Sequence, residues 1–206
     1  MRHILIAALL GLALPIVAFA NSTSTDFIVF GGNSNLGGVG GTGALFDTSS
    51  TVNFAMGFNG NPLLSGNLGT LSFTTGSLLS SSGNIETFAG GGSFTITGSG
   101  TGLPGGVLFS GTFNGQVTLE TFSNGLGYLL VCEPTEFNAC SVSGVWSNGQ
   151  KASGGLIVSA GTGGSINLAY VNLQTQSPAV PEPGTLSLLG TGLVGLGAVV
   201  RRKLRI

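Results

Sequence analysis

Side chains able to do chemistry are sparse in this chain. Its 206 residues include one histidine, His3, two cysteines, Cys132 and Cys140, and one tryptophan, Trp146. The carboxylates of the long central part are Asp26, Asp47, Glu86, Glu120, Glu133 and Glu136, and Lys151 is its one cation. A Ser-His-Asp or Cys-His arrangement needs an imidazole in the folded domain, as does a histidine zinc site. His3 sits at the head of a segment expected to be cut away, so neither is expected. Lys151 lies near Ser147 and Ser153, but the spacing matches no serine-lysine dyad, and a lysine after Asn148-Gly149 reads as an exposed turn residue. Glycoside hydrolysis asks only for two carboxylates about 5 to 9.5 Å apart. Glu86 and Glu120 are its candidates, against the ordinary reading of acids on the solvent face of strands. With no other requirement of an active site met, no enzyme, cofactor or metal is expected.

Other groupings carry less. Tyr128, Trp146 and Tyr170 offer rings for a sugar-stacking platform, although aromatics at strand spacing are more often core or cross-strand pairs. Calcium through Asp47, or through Glu133 and Glu136, has no supporting pattern: Gly37 to Gly41 lacks the aspartate and the repetition of a calcium-binding nonapeptide. The glycine patches at 31–43, 90–92, 98–106 and 161–164 lack the strand-to-helix setting of a phosphate cradle and read as loops. Cys132 and Cys140 flank a proline-containing loop. In an exported, oxidising setting they are expected to form a disulfide across the ends of neighbouring strands, worth about 2.5 kcal/mol for a loop of about nine residues.

The elements that position these residues read as strands. Phe27 to Phe30, Thr51 to Met56, Thr70 to Thr75, Ser93 to Thr97, Val107 to Phe113, Gln116 to Phe122, Gly127 to Cys132, Cys140 to Trp146, Leu156 to Ala160 and Ser165 to Leu173 are rich in Phe, Val, Ile and Thr. Alternation is plainest at Phe94/Ile96, Val117/Leu119 and Ile166/Leu168/Tyr170. Four Asn-Gly pairs, at 59–60, 114–115, 124–125 and 148–149, suit the positive φ angles of type I′ turns and predict reversals. The predicted fold is all-β: an antiparallel sandwich, jelly roll or barrel, with an N-terminal signal helix and a C-terminal transmembrane helix.

The two ends differ from the middle. Residues 1–20 have a charged start at Arg2, an apolar stretch to Leu14, and Ala18-Phe19-Ala20, which are the three regions of a secretory signal peptide with cleavage after Ala20. That cleavage removes His3. Six carboxylates against Lys151 then leave the central domain, 21–177, a formal charge of −5, which gives nucleic acid no electrostatic footprint. At the other end, residues 185–200 are uncharged. As a helix they reach roughly 24 Å, a little short of a hydrocarbon core of roughly 30 Å. The following Arg201, Arg202, Lys203 and Arg205 place the C-terminus in the cytoplasm and the domain outside.

Val180-Pro181-Glu182-Pro183, the glycine-rich apolar run and Arg201-Arg202-Lys203 together resemble the PEP-CTERM sorting signal of exported proteins in Gram-negative and related bacteria that make extracellular polysaccharide. The resemblance covers the last 27 residues, 180–206. It implies recognition of Pro181, Glu182 and Pro183 by an exosortase that removes the tail, so the chain is a substrate. Two prolines hold such a segment extended and poor in amide donors, outside the membrane helix. The implied partners are the export translocase and signal peptidase, the exosortase, the membrane before processing, and extracellular polysaccharide. The implied path runs from a membrane-anchored intermediate to the cell surface or extracellular space. The expected role is structural or adhesive. The alternatives are a permanently anchored surface protein and a carbohydrate-binding or hydrolysing secreted domain.

Overall fold

Branched and aromatic side chains pack well on a pleated surface, and glycine between such runs lets the chain turn. The computed structural model describes residues 23–31, 34–122, 126–133 and 140–176. These form eleven strands: β1 (Ser24–Phe30), β2 (Ala44–Met56), β3 (Leu64–Ser82), β4 (Ile85–Phe88), β5 (Gly91–Gly98), β6 (Gly106–Asn114), β7 (Val117–Thr121), β8 (Gly127–Cys132), β9 (Ser141–Trp146), β10 (Lys151–Gly161) and β11 (Ile166–Thr175). Each of the ten expected strands has a counterpart. The expected signal segment with Ala18 and Ala20, the motif Pro181 to Pro183, the apolar run 185–200 and the tail Arg201, Arg202, Lys203 and Arg205 lie outside the described residues. Among the described residues no helix is long and apolar enough to cross a membrane.

The strand pairings are antiparallel and close on themselves. β4 and β5 lie end to end along β3, which pairs with β5 through Gly69–Thr74 and with β4 through Leu78–Ser82. β6 and β7 continue the pattern against β5 and β4, and β9 and β8 against β6 and β7. β10 then runs along both β9 and β8, and β11 joins β10 to β1. With β1 on β2 and β2 on β3 the circuit is complete. The eleven strands are therefore eight staves in sequence order: β1, β2, β3, β4 with β5, β6 with β7, β8 with β9, β10 and β11. This is an up-and-down circuit with no free edge, the barrel among the three expected architectures.

Three staves are interrupted at the same level, and two glycines show why. A Cβ on Gly90 would lie 2.6 Å from the Gly115 carbonyl oxygen and 2.9 Å from that of Phe113. A Cβ on Gly76 would lie 2.5 Å from the Gly90 oxygen. Backbones touch here, where β4 gives way to β5 and β6 to β7, so only glycine fits. Asn114-Gly115 is thus a kink within a stave, and the reversal expected there is corrected. The third interruption lies between β8 and β9 and is closed by a disulfide between Cys132 and Cys140, with Cα atoms 4.9 Å apart. Cys132 ends β8 and Cys140 immediately precedes β9, so the expected disulfide joins the ends of two successive strands that both lie along β10.

Alternation puts the apolar side chains inside. On β5, Phe94, Ile96 and Gly98 are buried and Thr95 and Thr97 only partly so. On β11, Ile166, Ala169, Val171 and Leu173 are buried while Leu168 and Tyr170 are only partly so; a bulge between Ile166 and Leu168 shifts the inward set, which corrects the apolar face expected at Ile166/Leu168/Tyr170. An apolar inward set is the reverse of a barrel facing lipid, which carries its apolar residues outward. An eight-stranded barrel leaves an interior just wide enough for side chains to fill. Here a column of rings fills it: Phe73 on Phe113, Phe113 on Phe94, Phe94 on Phe109, each with centroids 6.0 Å apart, and Phe109 on Trp146 at 5.3 Å. Each such contact adds about 0.5–1.5 kcal/mol to the area buried.

Candidate functional site

The ring column ends at Trp146, and the barrel opens there. Trp146 closes β9 and faces Phe109 across the β6–β9 ladder. The next residues turn sharply: the Gly149 N–H donates to the Trp146 oxygen at 2.8 Å, and the Trp146 N–H donates to the Gln150 oxygen at 2.8 Å. Gly149 has φ 83° while Asn148 is not in the left-handed region. The reversal expected at Asn148-Gly149 occurs, but as a three-residue hairpin with glycine at the left-handed position instead of a type I′ turn. Its side chains are tied together, since the Gln150 N–H donates to Asn148 Oδ1 at 3.0 Å and Asn148 Nδ2 to Gln150 Oε1 at 2.9 Å.

A strap after β2 forms the facing wall. Gly57 has φ 75° and no room for a Cβ, which would meet the Ser24 oxygen at 2.3 Å. Asn59 and Gly60 have φ 50° and 79°, and the Asn61 N–H donates to the Phe58 oxygen at 3.0 Å. Here the Asn-Gly pair does adopt the two positive φ angles of a type I′ turn. The turn tips the Phe58 ring onto Phe27 and Trp146, with centroids 6.3 and 6.1 Å away. Asn124-Gly125 lies outside the described residues, between the paired strands β7 and β8.

Between strap and hairpin lies a cavity of about 560 Å³. Thr23 and Thr25 contribute from the start of the barrel chain, Pro104 from the β5–β6 connection, and Thr175 from the end of β11. Thr175 Oγ1 accepts the Trp146 indole N–H at 3.2 Å, which fixes the ring's rotation. Among the described residues none that lines the cavity is charged. Its ring-and-amide character suits neutral, hydroxyl-bearing molecules better than ions.

The other candidates fall elsewhere. Tyr170 lines a second, outer cavity of about 390 Å³ with Glu133, Ser153 and Asn172. Its hydroxyl donates to Asp26 Oδ1 at 3.1 Å, and Asn172 Nδ2 donates to the same oxygen. Burial, and then the negative Asp26 beside it, raise the Tyr170 pKa above its ordinary value. Tyr128 lines neither cavity. The three rings considered as a stacking platform are therefore separate, because successive strands carried them to different faces and ends. Glu86 stands opposite Leu119, and Glu120 opposite Ile85. Neighbouring residues on a strand point to opposite faces, so these two carboxylates do not converge on one substrate. Lys151 is exposed at the start of β10. Asp47 is buried on β2, Glu133 belongs to the outer cavity, and Glu136 lies outside the described residues. Phe58, Asn59, Asn148 and Gln150 were not singled out as site residues by the sequence, although two Asn-Gly pairs marked the turns that carry them.

No curated protein and no solved structure matches the chain. The match to a family model covers residues 179–203, that is, part of the C-terminal end and none of the described barrel. Those residues match the PEP-CTERM protein-sorting motif, and at that end the chain carries the signal of an exosortase-sorted exported protein.

Proposed function

We propose that the chain is an exported surface or extracellular-matrix protein of structural or adhesive type, without enzymatic activity, released from its membrane intermediate by cleavage near Pro181, Glu182 and Pro183. The observation that carries this reading is the sorting motif at 179–203. The chemistry of the rest is in keeping with it. After cleavage at Ala20 the domain has no histidine, and Glu86 and Glu120 point apart. A closed sheet with a buried disulfide is a durable product to place outside a cell, since it offers no free edge for pairing and its loop closure resists unfolding.

Intact-mass measurement of the mature protein, with fractionation of the cells that make it, tests the proposal. The expected product begins at Asn21, lacks Arg201 to Ile206, and is found in the surface or extracellular fraction. A stable product that retains Arg201 to Ile206 in the membrane fraction would establish a permanent anchor and overturn the sorting reading. Replacing Glu182 by Ala is expected to leave the unprocessed form in the membrane.

A further inference from the structure

We infer that the mouth of the barrel around Trp146 binds a neutral saccharide. This goes beyond the sorting proposal and does not depend on it. The first reason is exclusion: Phe73, Phe94, Phe109 and Phe113 are fully buried and fill the axis, so a ligand is confined to the mouth. The second is charge: among the described residues no acidic or basic side chain lines a cavity of about 560 Å³, although Lys151 follows directly on the hairpin. Anionic and cationic ligands find no counter-charge among those residues, and desolvating them is costly.

The third reason is the kind of groups that remain. The ring surface of the cavity is supplied by the half-buried Phe58 and by the 8% of Trp146 left exposed beside Phe27, Phe58 and Phe109, and Pro104 adds an apolar wall. Sugar rings have an apolar C–H face that stacks on such surfaces and hydroxyls at their rim. Gln150 Oε1 and Asn148 Nδ2 are joined at 2.9 Å, which leaves the Gln150 amide nitrogen to donate. Thr175 Oγ1 already accepts from Trp146, so its own hydrogen is directed away from the indole. The Asn59 side chain makes no hydrogen bond to another described residue, and it stands at the lip with φ 50°, the one residue other than glycine with positive φ among those described. Donors and acceptors of both kinds, held by tight turns at the rim of an aromatic floor, match a polyhydroxylated neutral ligand. The volume accommodates about two or three sugar units, within the usual range for small-ligand sites of about 300–1,000 Å³.

Because Trp146 is the only tryptophan, its fluorescence reports on this site alone. The mature protein is titrated with neutral tetrasaccharides of β-1,4-glucan, α-1,4-glucan, β-1,3-glucan and β-1,4-xylan, and with tetragalacturonate and decanoate as anionic and apolar probes. The expected result is a saturable change in Trp146 emission with at least one neutral tetrasaccharide, and none with the other two probes. Gln150→Ala and Asn59→Gly are each expected to weaken that binding about tenfold, equivalent to one lost hydrogen bond. Glycine keeps the positive φ at position 59 and Gln150 is exposed, so both variants retain the fold, which their thermal transitions verify. No saturation by any neutral tetrasaccharide up to 10 mM overturns the inference. So does saturation by tetragalacturonate or decanoate instead, or binding unchanged in both variants.

Discussion

Asp47 offers a quantitative test of how this barrel is held together. It is 2% exposed on β2, and its Oδ2 atom has no hydrogen-bond partner. Its Oδ1 accepts the Ser49 N–H at a long 3.4 Å, and Ser34 and Ser50, themselves joined hydroxyl to hydroxyl, stand close by. Burial raises the Asp47 pKa above its ordinary value, and the serine and backbone groups pull it back only in part. The folded state therefore holds this proton more tightly than the unfolded chain does. Below the unfolded pKa both states are protonated and Asp47 carries no penalty. As pH rises through the folded pKa the penalty grows to its full size and then stays constant. Asn at this position keeps the shape, removes the charge and gives the orphan oxygen's place to a donor. An unsatisfied buried polar group costs about 1–3 kcal/mol, so Asp47→Asn is expected to stabilise the mature protein at pH 7 by about 1–2 kcal/mol. For a domain of this size that raises Tm by about 2–8 °C. At pH 3 the two proteins are expected to unfold alike. Urea and thermal unfolding of both at pH 3 and pH 7 measures the difference, which cancels the titration of the other carboxylates. If Asp47→Asn is less stable than the parent at pH 7 and equal to it at pH 3, the carboxylate is ionised and paired, and the reasoning fails.

Other outcomes follow from the same packing. Replacing Cys132 and Cys140 together by Ser is expected to cost about 2.5 kcal/mol through the freed loop of the unfolded chain; urea unfolding beside thiol labelling of the unreduced parent checks both the energy and the bond, and two labelled thiols would contradict it. Gly90→Ala drives a methyl group to 2.6 Å from the Gly115 oxygen, and is expected to cost about 3 kcal/mol or more by forcing the staves apart. Gly163→Ala is the control, since nothing lies within 4 Å of its Cβ and its φ is not left-handed; a change within about 0.5 kcal/mol is expected. Phe109→Ala empties the ring column between Phe94 and Trp146, with an expected loss of about 3–5 kcal/mol and a red shift of tryptophan emission as water reaches the indole.

Strand positions were legible because side-chain character alternates every second residue along a half-buried strand, as Phe94 and Ile96 do between threonines. Extents were less so. β3 runs 19 residues where Thr70 to Thr75 was expected, because its serines and glycines are poor strand formers that pairing with β2, β4 and β5 holds extended. β4 was expected only as a strand around Glu86, without bounds: its four residues carry too little alternation to mark where it starts and stops. Asn-Gly pairs marked turns, but each pair's surroundings chose the turn. At 59–60 both φ angles are positive, at 148–149 only glycine's is, and at 114–115 the stave merely kinks.

By itself the amino-acid order determined what is local: the strands, the turn-prone dipeptides, the want of imidazole, the partners for one disulfide, and the sorting signal at 179–203, which is a linear motif. Only the tertiary structure decided what depends on closure. It joined β11 to β1, put Glu86 and Glu120 on opposite faces, parted Tyr128, Trp146 and Tyr170, and brought Phe58, 88 residues before Trp146, onto that ring at 6.1 Å. The physical reason is that a strand's own pattern tells which side of it is apolar, not which strand will pair with it. The mouth of the barrel is built from residues whose only relation is that the circuit closes.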